Sequence, residues 1–284
     1  MSLKSFVKQR PMLMRLASGP VRRYRALRHQ LGLYRAPRML QGELDFFRAV
    51  HQQCTVIVDV GARFDTDYTE IAQGRGCRFF LFEPNPRFYA KLTRNLKRYR
   101  EDVRAESMAV GDDDGSIGYF EDAESVLRHT TGVANSISEP RSIRLTRLDT
   151  YCMLNGIDHI DFLKTDIEEY DYFALLGAGD LLPRCRFIQI ELGINAPLAK
   201  GVVTNEHYYT LLEPHFDLYI VRDENNPLWR KGSVTGDLIR LDAVTKAAID
   251  KLQPTGVGFN LAGVNRAMNP DLGKLVISSL GKLP

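Results

Sequence analysis

The sequence predicts an α/β fold with a mostly parallel, doubly wound sheet. Strand-like and helix-like segments alternate from residue 55 onward, which is typical of a parallel sheet covered by helices on both faces. A buried-looking strand over residues 56–60 leads into a turn at Gly61, and the following strand runs into Glu83. In doubly wound folds the first turn admits a ligand close to the backbone. An acid about 20 residues later then faces ribose hydroxyls.

The other elements of the main domain follow from periodicity and capping residues. A helix is expected to begin near Asp67 with Glu70 as its capping-box partner, and Asn85 is expected to cap a helix over 86–100. Strands over 103–110 and 116–120 flank Asp112-Asp113-Asp114-Gly115, a turn sequence that predicts a hairpin. Further along, we expect helices over 149–155, 170–176 and 207–212, and strands over 78–83, 160–165, 187–191 and 216–221.

The pattern weakens beyond Pro227. Residues 238–241 are predicted to form a strand and 243–252 a helix, whereas 254–270 are rich in Gly, Asn and Pro. We therefore expect a main domain over residues 51–225, followed by a C-terminal extension or lid over 226–284.

Residues 1–50 are predicted to form a basic helical N-terminal arm. Residues 1–42 hold ten Lys or Arg and no acid, so the rest of the chain is acidic although the whole carries a net charge of +3. Apolar residues at helical steps follow Pro20, namely Val21, Tyr24, Leu27, Leu31 and Tyr34. Such a helix packs against the acidic body or a second copy, or lies on an anionic membrane surface. Nucleic acid is not expected, because no aromatic platform or recognition motif accompanies the charge.

The composition argues against several classes of protein. Four cysteines lie far apart, with no CxxC pair and no histidine at zinc-finger spacing, which argues against a disulfide framework and a structural zinc site. No run of about 18 apolar residues and no signal-peptide pattern occurs. We expect a cytoplasmic protein with reduced thiols.

Polar residues gather where the predicted parallel strands end, which is where ligands bind in such sheets. The strand ends are Asp59 with Gly61, Glu83, the Ala109-Val110-Gly111 segment, Asp166 and Glu191, and four of the five carry or adjoin a carboxylate. The first turn has a single glycine, whereas a dinucleotide pyrophosphate usually requires G-x-G-x-x-G. Acids around such a turn suit a cationic ligand without phosphates. The pattern therefore favours S-adenosylmethionine over NAD.

Five strings carry a resemblance to a known family. They are Val58-Asp59-Val60-Gly61-Ala62, Phe82-Glu83-Pro84-Asn85-Pro86, Ala109-Val110-Gly111-Asp112, Leu163-Lys164-Thr165-Asp166-Ile167-Glu168 and Ile188-Gln189-Ile190-Glu191. In this order and spacing, over about residues 55–222, they resemble the FkbM-type S-adenosylmethionine-dependent methyltransferases. The resemblance implies a class I methyltransferase (Rossmann-like) fold and an O-methyltransferase acting on hydroxyls of sugars, glycans or natural products.

The resemblance also implies roles for individual residues. Asp59 and Gly61 would border the methionine part of the donor, Glu83 would take the ribose hydroxyls, and Met108, Ala109 and Asp112 would lie near the adenine. Asp166 and Glu168 would sit beside the methyl group and the acceptor. The full predicted donor-binding set is Asp59, Gly61, Ala62, Arg63, Glu83, Asn85, Met108, Ala109 and Asp112.

The chain departs from the family at the first turn. The usual pattern is Asp-Val-Gly-Ala-Asn-x-Gly, but here Arg63 replaces the Asn and Asp65 replaces the last Gly. Arg63 would pair either with the donor carboxylate or with Asp65 or Asp67. The departure keeps open two other functions, a degenerate non-catalytic binding protein and an NAD(P)-dependent oxidoreductase.

Methyl transfer from a sulfonium is an in-line displacement, so the protein must align an acceptor oxygen and remove its proton. The predicted catalytic residues are Asp166, Glu168, Glu191 and His129. His207 is a further candidate base, although a capping role is the alternative for both histidines. Asp166, Glu168 and Glu191 offer ligands for Mg²⁺, which stays an alternative and is not predicted. Residues 125–140 are expected to line the acceptor side.

Overall fold

A computed structural model describes residues 41–100, 102–119, 141–167, 170–192, 197–198, 201–223, 226–230, 236–255, 257–273 and 275–278. The predicted helix of the basic arm, the segment 125–140 with His129, and Glu168 lie outside these residues. The chain from Gln41 onward forms one compact unit.

Helices and strands alternate through most of the described residues. The helices are α1 (Gln41–Val50), α2 (Asp67–Ile71), α3 (Pro86–Leu96), α4 (Leu148–Leu154), α5 (Asp171–Leu176), α6 (Asn205–Leu212), α7 (Pro227–Arg230) and α8 (Ala243–Leu252). The first eight strands are β1 (Val56–Val60), β2 (Arg78–Phe82), β3 (Asp102–Glu106), β4 (Ala109–Gly111), β5 (Gly115–Tyr119), β6 (Arg141–Arg147), β7 (Ile160–Thr165) and β8 (Cys185–Leu192). The remaining strands are β9 (Pro197–Leu198), β10 (Gly201–Val202), β11 (Phe216–Val221), β12 (Leu238–Arg240), β13 (Phe259–Asn265) and β14 (Ile277–Ser278).

The central sheet joins nine strands of the described chain in the order β14-β12-β11-β13-β8-β7-β1-β2-β3. The five strands from β8 to β3 are parallel to one another, and β13 runs antiparallel between β8 and β11. The strand order reverses between β1 and β7, so a ligand crevice is expected beyond the carboxyl ends of these strands. The predicted α/β fold with a mostly parallel, doubly wound sheet is confirmed in the described residues.

Alternate residues of each central strand pack on opposite faces of the sheet. One face carries Val58 and Leu163 against α4, α5, α6 and α8. The other carries Ile57 and Phe162 against α1 and α2, where Phe46 and Phe47 are fully buried. The sheet therefore separates two apolar layers, each closed by helices.

Several element predictions are confirmed and others are wrong. β7, β11 and α8 have the predicted bounds, and Asn85 caps α3 by accepting a hydrogen bond from the Arg87 N–H at 3.0 Å. The predicted hairpin is wrong, because β4 and β5 do not pair with each other but lie on either side of β6. The capping box at α2 is also wrong, since its N-cap is Thr66, without a side-chain cap.

Both ends of the described chain are joined to the central sheet, α1 by side-chain packing and β12, β13 and β14 by strand pairing. α1 was predicted to be part of the N-terminal arm, but its apolar side is buried against β7 and β8 through Phe46. β12, β13 and β14, which fall in the predicted C-terminal extension or lid, are strands of the central sheet. No described helix is both long and apolar enough to span a bilayer.

Asn265 fastens the end of β13 inside the sheet. Its Nδ2 donates to the carbonyls of Pro183 and Cys185, both at 2.8 Å, and its Oδ1 accepts from the Ala267 N–H at 3.0 Å. We expect Asn265→Ala to lower the free energy of unfolding by about 1–3 kcal/mol, because buried polar partners lose their hydrogen bonds. Chemical denaturation measures this, with exposed Gln73→Ala as the control. Equal stability of both variants would contradict the role of β13 as a core strand.

Candidate active site

The structure brings the predicted strand-end residues to one edge of the sheet. β2, β1, β7 and β8 are neighbours, and they are followed by or end at Glu83, Gly61, Asp166 and Glu191. Backbone hydrogen bonds tie the turns together. The N–H groups of Gly61 and Ala62 both donate to the Phe82 carbonyl, at 2.9 and 3.0 Å. The edge is thus a single connected surface of backbone and carboxyl groups.

Gly61 lies where the β1 turn meets the segment after β7. Its φ is +85°, and a Cβ there would lie 2.2 Å from the carbonyl oxygen of Asp166. The Asp166 N–H in turn donates to the Val60 carbonyl at 3.0 Å. Both the left-handed backbone and the close approach require glycine at this position.

A buried lysine contacts both segments of this junction. Lys164 Nζ lies 3.1 Å from Asp59 Oδ1, 3.5 Å from Asp166 Oδ2 and 3.5 Å from the Gly61 carbonyl oxygen. Burial alone would lower the pKa of Lys164, but Asp59 and Asp166 raise it well above its usual value, so the ammonium form persists. Burial raises the pKa of Asp59, and Lys164 opposes that shift.

Lys164 had no predicted role, although its surroundings contain a signal. It is the lysine of a strand whose residues are all buried, and the parallel register pairs it with Asp59 on β1 and Gln189 on β8. Asp59, Lys164 and Gln189 therefore form a polar row across three strands, on the face covered by α1. A lysine within a buried strand is rarely tolerated without a charged partner.

Glu83 is a buried carboxyl beside the Gly61 turn. It is 5% exposed, and its Oε1 accepts from the Asn85 N–H at 2.7 Å. Burial raises the pKa of Glu83 to about 7. Hydrogen bonds from the backbone N–H groups of Asn85 and Arg63 oppose this shift by favouring the ionised form. Asn85, also predicted to bind the donor, contributes here by orienting Glu83 and capping α3.

Arg63, where the chain departs from the family pattern, has a left-handed backbone conformation. Its φ of +56° lies in the left-handed region, which Asn enters more easily than Arg. Its guanidinium carbon lies 5.3 Å from the ring centre of Phe64 and 5.2 Å from that of Phe88. The Arg63 guanidinium therefore makes cation–π contacts with both rings.

The predicted adenine-side residues lie just before, on and just after β4. Met108 and Ala109 are buried, and the Asp112 carbonyl accepts from Arg147 Nη1 at 2.9 Å. Asp114, to which no role was assigned, accepts from Thr146 Oγ1, Thr150 Oγ1 and the Arg147 N–H. The Asp-rich turn is therefore anchored to β6 and α4 through Asp114.

Among the predicted catalytic residues, Asp166 and Glu191 reach the edge. Asp171, which was not predicted, supports the segment after β7 by accepting from the Ile167 N–H at 3.3 Å. Burial raises the pKa of Asp171 to about 7. His207 lies instead at the start of α6, where its Nδ1 accepts from the Thr204 N–H at 3.1 Å, so its capping role is the one present. The described residues include no group of three potential metal ligands.

The family profile described as Methyltransferase FkbM domain matches residues 59–217, more than half of the chain. The chain belongs to the FkbM methyltransferase family. The predicted family is thereby confirmed, and the matched region runs from Asp59 through β11.

This FkbM-family chain is similar to the 2-O-methyltransferase NoeI of Sinorhizobium fredii, with 25% identity over 152 residues. That match covers 48% of this chain and 62% of NoeI, so the chain spans less than two thirds of that relative.

Solved structures of methyltransferases are similar at low identity. StiE O-MT has a TM-score of 0.41 at 15% identity, covering 86% of this chain and 78% of that one. The geranyl diphosphate C-methyltransferase of Streptomyces coelicolor has a TM-score of 0.36 at 11% identity, covering 74% and 70%.

Gly61→Ala should destabilise the protein more than Gly74→Ala. Both glycines are left-handed, at φ +85° and +77°, so both variants carry a backbone cost of roughly 1–2 kcal/mol. A Cβ at Gly74 meets nothing within 4 Å, whereas one at Gly61 overlaps Asp166 and adds roughly 1–3 kcal/mol. Thermal or urea unfolding measures the difference, and equal losses would contradict the packed junction.

Lys164→Met should lower the free energy of unfolding by about 3–5 kcal/mol, because Asp59 is left buried without its counter-ion. The double variant Asp59→Asn/Lys164→Met should lose less than the two single variants together, since neither charge remains. A double-mutant cycle from urea unfolding measures the coupling. Additive losses would show that the two side chains do not form the pair described above.

Proposed function

We propose that the protein is an S-adenosylmethionine-dependent O-methyltransferase acting on a hydroxyl of a sugar, glycan or natural product. Membership of the FkbM family and similarity to a 2-O-methyltransferase support this proposal. The observation that carries it is the sheet edge, where Asp59, Glu83 and Asp166 surround a single-glycine turn. Carboxylates in that arrangement suit a ligand with an ammonium, a sulfonium and a ribose, and they oppose a pyrophosphate.

The edge has the chemical groups that the donor needs. Glu83 would accept hydrogen bonds from the ribose hydroxyls, because its carboxyl is buried and fixed by backbone donors. Gly61 and the Asp166 segment would border the methionine part, and Met108, Ala109 and Asp112 would lie on the adenine side. When bound, S-adenosylmethionine supplies a methyl group on a sulfonium, a leaving group that needs no covalent enzyme intermediate.

The protein's own task is then alignment and proton removal. Holding the acceptor oxygen in line supplies most of the rate in such a displacement, and a carboxylate at the edge takes the proton. Asp166 and Glu191 are the predicted bases that lie among the described residues of the edge, and Glu168 and His129 stay predicted candidates. Mg²⁺ stays an untested alternative that would involve Asp166, Glu168 and Glu191.

Two assays separate this function from the alternatives. Calorimetric titration with S-adenosylhomocysteine and with NADH distinguishes a methyltransferase from an oxidoreductase. Methyl transfer from labelled donor to a pool of glycans and metabolites distinguishes an enzyme from a non-catalytic binding protein. Binding of NADH in preference to S-adenosylhomocysteine would contradict the proposal.

We also propose that the protein acts in the cytoplasm, and that its basic arm attaches it to an anionic membrane surface or to a second copy. The support is the charge asymmetry of the chain, with ten basic residues and no acid before Glu43. No nucleic-acid partner is proposed.

Affinity for S-adenosylhomocysteine should rise between pH 6 and pH 8. The ribose hydroxyls bind the ionised Glu83 best, and its pKa of about 7 leaves it largely protonated at pH 6. A pKa near 7 gives a change of about tenfold over this range. Calorimetry at several pH values measures it.

Glu83→Gln should weaken binding and remove this pH dependence, and Glu83→Ala should weaken it further. Exposed Glu70→Gln is the control and should keep both the affinity and its pH dependence. Unchanged affinity in Glu83→Ala would refute the ribose assignment.

A further inference from the structure

A group of polar side chains on the α1 face of the sheet has no part in the donor site described above. We call it the α1 cluster: Glu43 on α1, Tyr68 on α2, Gln189 on β8 and Asn260 on β13. Asn260 Nδ2 donates to Glu43 Oε1 at 2.5 Å, and Gln189 Nε2 donates to the Tyr68 hydroxyl at 2.9 Å. Four separate elements thus bring their polar groups to one place.

The α1 cluster lies at the carboxyl edge of the sheet, next to Lys164. Gln189 is the register partner of Lys164, and Asn260 is the register partner of Glu191. Below it, toward the amino ends of the strands, the same face is filled by Phe46, Phe162 and Phe187. Glu43 and Tyr68 are buried, whereas Asn260 and Glu191 are half-buried, so the cluster reaches the surface at the edge.

One hydrogen-bonding group in the cluster lacks a partner among the described residues. Gln189 is 2% exposed, its amide nitrogen is used by Tyr68, and its Oε1 has no hydrogen bond. If the amide is turned over, its nitrogen becomes the unpaired group instead. A buried amide with an unused end is costly unless a ligand group pairs with it. A hydroxyl suits either orientation, since it both donates and accepts.

Glu43 is a carboxyl in a mixed electrostatic setting. Lys164 on β7 favours its charged form, whereas Asp166 and Asp59 disfavour it, and Asn260 donates a hydrogen bond to it. Tyr68 on α2 also faces it, and Glu191 adjoins its partner Asn260. Burial is the largest influence and raises the pKa of Glu43 to about 7. A carboxyl with that pKa is an effective proton acceptor near neutral pH.

We infer that the α1 cluster binds the acceptor as a polyol, with its hydroxyls paired to Gln189 and Asn260, and that Glu43, rather than Asp166 or Glu191, accepts the proton of the reacting hydroxyl. This inference rests on the proposed function. The acceptor oxygen forms a bond to the methyl carbon as the carbon–sulfur bond breaks. The electron pair of that bond stays on the now neutral sulfur, and the hydroxyl proton passes to the Glu43 carboxylate. Charge and atoms balance without a further reactant.

The binding test uses the full chain and methyl glycosides of hexoses, pentoses and 6-deoxyhexoses as probes. Saturation-transfer NMR is measured with and without S-adenosylhomocysteine. We expect at least one glycoside to bind the wild type and Gln189→Leu to reduce its signal several-fold. The affinity for S-adenosylhomocysteine should stay within a few-fold of wild type. If no glycoside binds, or if Gln189→Leu binds as the wild type does, the inference is wrong.

The kinetic test uses the glycoside with the strongest signal and compares Glu43→Gln with Asp45→Asn. Asp45 is the matched control, because it lies on the same helix but is exposed and pairs with Arg48. We expect the kcat of the wild type to rise through pH 7, and we expect Glu43→Gln to lower kcat by about 100-fold or more and to abolish that rise. Asp45→Asn should retain both.

If Glu43→Gln has the same kcat and pH profile as the wild type, the role of Glu43 is overturned. A glycoside that binds but is never methylated would overturn it as well. Failure to bind S-adenosylhomocysteine would instead contradict the proposed function. The glycoside measurement made without that ligand would still decide where the polyol binds.

Discussion

The ion pair between Lys164 and Asp59 is the constraint on which the rest of the edge depends. It joins the neighbouring strands β7 and β1 one residue before each strand ends. The Lys164 ammonium also lies close to Asp166 and to the Gly61 carbonyl. Replacing such a pair with apolar side chains often costs nothing or even stabilises a protein. Its presence is therefore better explained by the position it imposes on the Gly61 turn and on Asp166 than by stability.

The same lysine links the two halves of the proposed reaction site. Asp59 and the Gly61 turn, which adjoins Glu83, lie on one side of Lys164. Gln189 and the rest of the α1 cluster lie on the other side. Among the described residues of the edge, several carboxyl groups lie near the Lys164 ammonium. Burial, with a smaller contribution from neighbouring carboxylates, raises the pKa values of Glu83 and Glu43 to about 7. Carboxyl groups that exchange protons near neutral pH are suited to binding hydroxyls and to removing a proton from one.

Much of the parallel half of the sheet could be predicted from the sequence, because β1 and β2 are mostly apolar runs followed by polar residues. β1 has the predicted bounds for this reason, and β2 ends one residue before its predicted end. The prediction of a hairpin between β4 and β5 was wrong because β6, some 25 residues further along the chain, lies between these two strands. The turn sequence holds no information about that strand. β13 was missed because its glycine suggests a loop. Gly263 is in fact required by packing, since a Cβ there would lie 2.4 Å from Ile188. Strand-end acids could be predicted as a group, but Lys164, Gln189 and Glu43 gain meaning only through register and helix packing.

The most direct test of this account is an experimental structure of the protein crystallised with S-adenosylhomocysteine. We expect the ribose hydroxyls on the Glu83 carboxylate, the amino-acid end of the ligand beside Gly61 and Asp166, and its sulfur directed toward the carboxyl end of β7. A ligand bound away from these strand ends, or a dinucleotide occupying them in preference, would contradict the account.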